Sequence, residues 1–148
     1  MKKLSLLIIA GLISLTTFAK AGIPDYVITA DGVKFYEKVR YGFTGLVGVE
    51  NDSRDRYKTD QVVAYRKDGK VYEKVPVVVN NRATGRYTFM ELMAYRNGLK
   101  VYRYRTDLEE NYEYFVYQAK EFVVQFDQLN AQNLNTFFFR PYGMLASN

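Results

Sequence analysis

The sequence predicts a mainly β fold, a small antiparallel β-barrel or a strongly bent meander sheet with a short C-terminal helix, and two observations carry this reading. Asp-Gly or Asn-Gly pairs at 31–32, 68–69 and 97–98 each lead into a lysine, an apolar residue and a tyrosine, as in "RKDGKVYEKV". The runs that flank them are rich in valine and in the chain's 14 tyrosines and 10 phenylalanines, residues that suit a pleated, half-buried surface. A two-residue turn between twisted strands needs positive φ at both central positions. Asp, Asn and Gly tolerate that conformation, so each pair is expected to reverse the chain into a hairpin.

At the N-terminus, "MKKLSLLIIAGLISLTTFAKA" sets Lys2 and Lys3 before an apolar run from Leu4 to Leu15 and ends on small residues at Ala19 and Ala21. That is the three-part form of a secretory signal cut before Gly22. The apolar run is shorter than the ~20 residues a membrane-spanning helix requires. Residues 1–21 are therefore expected to leave an exported chain, periplasmic or extracellular, with no membrane span after cleavage. Residues 22–139 are expected to form a single domain, since a chain of this size buries about two thirds of its unfolded surface, enough for one core. The chain has no cysteine, so neither a disulfide framework nor a lipoprotein anchor supplements that core.

Within the domain, Asp31-Gly32 is expected to join "DYVITA" to "VKFYEKV", with Ile28 facing Phe35 and Val27 facing Tyr36. "GFTGLVGVE" carries glycines at 42, 45 and 48, which favour bends or bulges. "ENDSRDRYKTD" at 50–60 reads as a charged loop, and "NNRATGR" at 80–86 as a turn-rich connection. Asp68-Gly69 sets Tyr65 against Tyr72. Asn97-Gly98 sets Tyr95 against Lys100, Ala94 against Val101 and Met93 against Tyr102. One face then collects Phe89, Met93, Tyr95, Tyr102 and Tyr104, and the other Met90, Leu92, Ala94, Val101, Arg103 and Arg105. Apolar residues on both faces of "YTFMELMAY" point to a central strand covered on each side. "NYEYFVYQ" and "EFVVQF" read as two further strands. "FDQLNAQNLNTFFF" offers Asp127 as a helix N-cap and Ala131, Leu134 and Phe138 as an apolar stripe, which predicts a helix at about 127–139. Residues 140–148 read as a loose tail.

Asp25, Ile28, Thr29 and Gly32 match a strand of the form D-x-x-[IV]-T-x-x-G, and Gly69, Tyr72 and Val75 match G-x-x-[YF]-x-x-V. Phe89, Met90, Met93, Gly98 and Tyr102 follow a hairpin pattern, with Met93 in place of a leucine and Val101 before Tyr102. On these residues the chain resembles, over roughly residues 25–118, a loose group of short exported bacterial β-rich proteins of unknown function. The resemblance implies a bacterial envelope β-protein. Its matching positions are turn glycines and core aromatics, so it implies no site.

The chain has no histidine, cysteine or tryptophan. Acid–base and nucleophilic catalysts lean on histidine or cysteine. Beyond the signal the serines are Ser53, in a charged stretch, and Ser147, beside the C-terminus. Most of the 16 acidic residues lie in loops or alternate with basic ones, the pattern of a solvated face. No enzymatic activity and no cofactor is expected. Zinc, copper and iron–sulfur sites lose their usual ligands. Glu50, Asn51, Asp52 and Asp55 offer oxygen ligands, but in no EF-hand spacing and with Arg54 and Arg56 interleaved, so no metal site is expected either. Cleavage removes Lys2, Lys3 and Lys20 from a formal net charge of +5, which leaves no electrostatic case for nucleic acid.

The remaining cluster is "YRYR", and Tyr102, Arg103, Tyr104 and Arg105 are the candidate ligand-binding or partner-binding residues. A strand there directs the tyrosines to one face and the arginines to the other. Arginine pairs bidentately with carboxylate or phosphate, and tyrosine stacks on a sugar or a ring. The competing reading makes the tyrosines core and lays the arginine stems over Met90 and Leu92 with their heads in water. The expected function is an exported, non-catalytic binding or structural module of the bacterial cell envelope with an envelope protein as partner. The alternative is a lipocalin-like carrier that encloses a small apolar or aromatic ligand in a closed barrel.

Overall fold

A computed structural model describes residues 22–105 and 112–126. The segment 1–21 with Ala19 and Ala21, the helix expected at about 127–139 and the tail at 140–148 lie outside the described residues. Among the described residues every regular element is a strand, and the strands pair antiparallel, as the turn pairs and composition predict. No strand pairing among them closes a barrel. The chain divides into two compact units, one ending at Tyr72 and the next beginning at Glu73.

The first unit holds β1 (Asp25–Thr29), β2 (Gly32–Tyr36), β3 (Lys38–Gly42), β4 (Gly45–Glu50), β5 (Ser53–Tyr57), β6 (Val62–Lys67) and the first residues of β7 (Lys70–Val79). β1 lies between β6 and β2 in one sheet, while β4 lies between β3 and β5 in another. Alternation along the strands puts Asp25 and Val27 on the same face as Lys34, Tyr36 and Tyr65. That face covers the three-stranded sheet. The Tyr36 ring rests so closely on Gly48 that a Cβ there would come within 2.4 Å of it. The Asp25 carboxylate accepts the backbone N–H groups of Val39 at 2.9 Å and of Asp68 at 3.1 Å. Val27, Val39, Leu46 and Val62 are buried to 1% exposure or less.

Two expectations about this unit are corrected. The chain reverses between β1 and β2 at Ala30-Asp31, one residue before the Asp-Gly pair, so Tyr26 faces Phe35 and Ile28 faces Val33. The Thr29 hydroxyl accepts the Asp31 N–H at 3.2 Å, a local side-chain bond that draws the turn forward. Most of residues 50–60 is not a loop: Asn51-Asp52 is a tight turn with Asn51 at φ 51, Ser53–Tyr57 pairs along β4, and only residues 58–60 belong to a connection, the one that leads into β6. In β5 the outward Arg54 and Arg56 and the inward Asp55 put charge at three successive positions, and in sequence such a run reads as a solvated connection. Asp68 and Gly69, at φ 51 and 80, do form the expected turn, and Tyr65 stacks on Tyr72 with ring centroids 4.8 Å apart.

The second unit holds the rest of β7 with β8 (Arg82–Arg96), β9 (Leu99–Arg105), β10 (Tyr112–Gln118) and β11 (Glu121–Phe126), each beside the next in chain order. Of the connection expected at 80–86, only Asn80-Asn81 is a turn, and β8 begins directly after it. Ala94 faces Val101 and Tyr95 faces Lys100, as expected. Beyond them a β-bulge takes up Met93, so that Leu92 faces Tyr102 and Glu91 faces Arg103. One extra residue reverses which side chains share a face. Met90 and Leu92 therefore join the Tyr102 face, where Val75, Val78, Phe115 and Tyr117 complete the cluster. Leu99, Val101 and Val116 form a second cluster on the opposite face.

Candidate functional site

The structure places the four "YRYR" residues at different depths. Tyr102 is buried, its ring edge-on to Tyr117 at 5.6 Å, and its hydroxyl donates to Glu73 Oε2 at 2.5 Å. Glu73 also accepts Lys100 Nζ at 2.7 and 3.0 Å, so a carboxylate on β7 reaches across β8 to two side chains of β9. Burial, then the adjacent Glu73 charge, pushes the Tyr102 phenol above its ordinary range. The Tyr117 hydroxyl donates to the Pro76 carbonyl at 2.6 Å, and burial pushes its pKa up to about 12. Tyr104 is half-buried against the same cluster.

On the other face Arg103 donates through Nε and Nη2 to Glu91 Oε2, at 3.2 and 2.7 Å, and its guanidinium lies 4.4 Å from the Tyr112 ring centroid. The Glu91 bond raises the Arg103 pKa further. The Arg103 head thus meets Glu91 and Tyr112 and not water alone, unlike the core reading of the sequence. Arg105 is exposed at the end of β9. Taken together, the cluster supplies hydrogen bonds and cover to the second unit, and its two innermost heads are engaged within the fold.

A different constellation faces solvent in the first unit. Cross-strand neighbours share a face and successive residues alternate. In the three-stranded sheet the register therefore aligns Lys38, Val49 and Arg54 in one row and Arg40, Val47 and Arg56 in the next, all pointing away from the layer beneath. Lys38, Arg40, Arg54 and Arg56 are exposed, and Val47 and Val49 form a half-buried strip between them. Strand spacing and rise put the cations about 10 Å apart across the sheet and about 7 Å apart along each strand. Among the described residues Arg40, Arg54 and Arg56 have no acidic partner, while the Lys38 charge adds to that of Lys67 in holding the Asp68 carboxyl below its usual range.

The inner face explains why the sheet stands this way. Asp55 points inward, where it pairs with Lys34 and accepts the Tyr36 hydroxyl at 2.8 Å; Tyr36 in turn bonds the Tyr57 hydroxyl. The Lys34 bond, then the Tyr36 bond, holds the Asp55 carboxyl below the usual carboxylate range. Inward Asp55 leaves its neighbours Arg54 and Arg56 outward. Three residues beyond Arg40, the turn Phe43-Thr44 closes the β3–β4 hairpin, and the Phe43 side chain is wholly exposed. Sequence reasoning missed this face. The available signal was the pair of alternations K-x-R at 38–40 and R-x-R at 54–56, set on either side of the apolar "LVGV".

Among the described residues no cluster of three or more carboxylate, histidine or cysteine side chains is placed to hold a metal ion, and no helix is long and apolar enough to cross a membrane. Compared with family models, curated proteins and solved structures, the chain has no match.

Proposed function

We propose that this chain is an exported, non-catalytic binding module of the bacterial cell envelope, and that the basic face of its three-stranded sheet is the surface that meets an anionic partner. One observation carries the reading: four exposed cations stand in register on a single sheet face, three of them without an ion-pair partner among the described residues. Like charges about 7 Å apart sit within one Debye length at physiological salt, so they repel with incomplete screening. An anionic partner relieves that repulsion. The export component rests on the N-terminal signal pattern, and the non-catalytic component on the lack of histidine and cysteine.

Retention on immobilised heparin, used as a soluble polyanion probe, tests the reading. The parent chain is expected to elute at clearly higher salt than Arg40→Gln/Arg54→Gln/Arg56→Gln, with matching circular dichroism spectra. Equal elution of the two would remove the basic face as a binding surface.

A further inference from the structure

The basic face does not end in a polar rim. It ends in Phe43, an aromatic side chain held wholly in solvent at the tip of the β3–β4 hairpin, at the same end of the sheet as Arg40 and Arg56. A tight two-residue turn is a position that polar residues fill readily. A fully exposed phenylalanine leaves its whole apolar surface in water. A partner that is charged throughout, such as a soluble acidic polymer, offers nothing to cover it. A flat array of cations beside one projecting apolar group instead matches a layer with negative charge outside and hydrocarbon immediately beneath. Interfacial proteins combine these two attractions, burial of a shallow apolar element and Coulomb contact with anionic headgroups.

We infer that the three-stranded sheet docks on an anionic phospholipid surface, with Phe43 entering the headgroup boundary and Lys38, Arg40, Arg54 and Arg56 contacting phosphates. This rests on the anion-binding reading above and narrows it to one partner in place of an envelope protein. The attachment is peripheral: the hairpin tip reaches only the interface, and among the described residues no helix is long and apolar enough to cross a bilayer. The half-buried Val47 and Val49 strip lies between the cations and faces the same surface.

The chain contains no tryptophan, which makes a direct test available. In Phe43→Trp the introduced indole is the sole tryptophan, and its emission is expected to shift to the blue with vesicles of phosphatidylcholine containing phosphatidylglycerol and to stay unchanged with phosphatidylcholine alone. Cosedimentation with the same vesicles should weaken about fivefold for each cation replaced by glutamine. It should weaken about tenfold in Phe43→Ser, while retention on heparin stays as in the parent. All forms carry the same terminal segments, so any binding through those is common to every arm.

The outcomes separate the two proposals. Loss of heparin retention with the arginines, together with an unshifted indole or undiminished vesicle binding by Phe43→Ser, overturns the lipid inference and leaves the anion-binding reading in place. If removing the arginines alters neither heparin nor vesicle binding, both fall. A concentration-dependent dimer that Phe43→Ser dissolves, without vesicle binding, assigns the tip to a second copy and also overturns the lipid inference.

Discussion

Gly48 occupies a position where the absence of a side chain is a packing requirement, because the Tyr36 ring fills the space that a Cβ would take. The ring cannot easily retreat, since its hydroxyl is bonded to both Asp55 and Tyr57. Gly48→Ala is expected to destabilise the fold by about 3 kcal/mol, the upper range for overpacking a tight contact, read as a fall in the denaturation midpoint. A midpoint unchanged within error would show that Tyr36 yields freely. In sequence this glycine stands out only as one of three in "GFTGLVGVE", which suggests irregular backbone. The need for close approach comes from Tyr36, twelve positions away in another sheet, and nothing local signals it. Tyr102 illustrates the same limit: its place on a strand was legible, but its bond to Glu73 depends on a strand two places away in the sheet.

Hairpins were the most legible elements, because a turn signal is local. Asp68-Gly69 and Asn97-Gly98 reverse where expected, whereas the β1–β2 reversal moves forward under the pull of the Thr29 hydroxyl. Registers were legible only as far as the first irregularity. A straight β8–β9 ladder sets Leu92 against Arg103, and the bulge at Met93 sets Glu91 there instead. A double-mutant cycle on Glu91 and Arg103 is expected to give a coupling of about 1 kcal/mol, because the pair is mostly buried and makes two hydrogen bonds. Coupling near zero is the outcome of a straight ladder.

The basic face is hidden in sequence for a related reason, since the charged stretch of β5 reads as a loop and a loop assigns its arginines no side. The β10–β11 turn offers a further element-scale test. Ala119 and Lys120 both hold positive φ, at 48 and 74, where side-chain-bearing residues other than Asn and Asp are disfavoured. Ala119→Asn/Lys120→Gly should raise stability by about 1 kcal/mol, and a loss of stability would contradict a turn of that type.

Across the whole molecule, both units bury phenols. Burial raises the pKa of Tyr36 and Tyr65 in the first unit and of Tyr102 and Tyr117 in the second. The folded chain thus holds these protons more tightly than the unfolded one, whose phenols titrate near an ordinary value of about 10. Their stabilising effect is full below pH 10 and declines as pH rises toward 12, the value reached by Tyr117. In an absorbance titration of the 14 tyrosines, a late group should ionise together with the loss of the β-sheet circular dichroism signal. Smooth ionisation of every phenol near pH 10 with the sheet intact would contradict this. Another whole-molecule consequence follows from β5, which has a neighbour on one side only among the described residues. Open strand borders invite other chains to add on, and charged residues along them discourage it. Arg54 and Arg56 are thus expected to discourage fibril growth, and Arg54→Val/Arg56→Val should nucleate thioflavin-positive aggregates at concentrations where the parent stays clear. On the proposed reading Arg54 and Arg56 serve both affinity for an anionic surface and resistance to self-assembly, so selection on either trait would constrain the other.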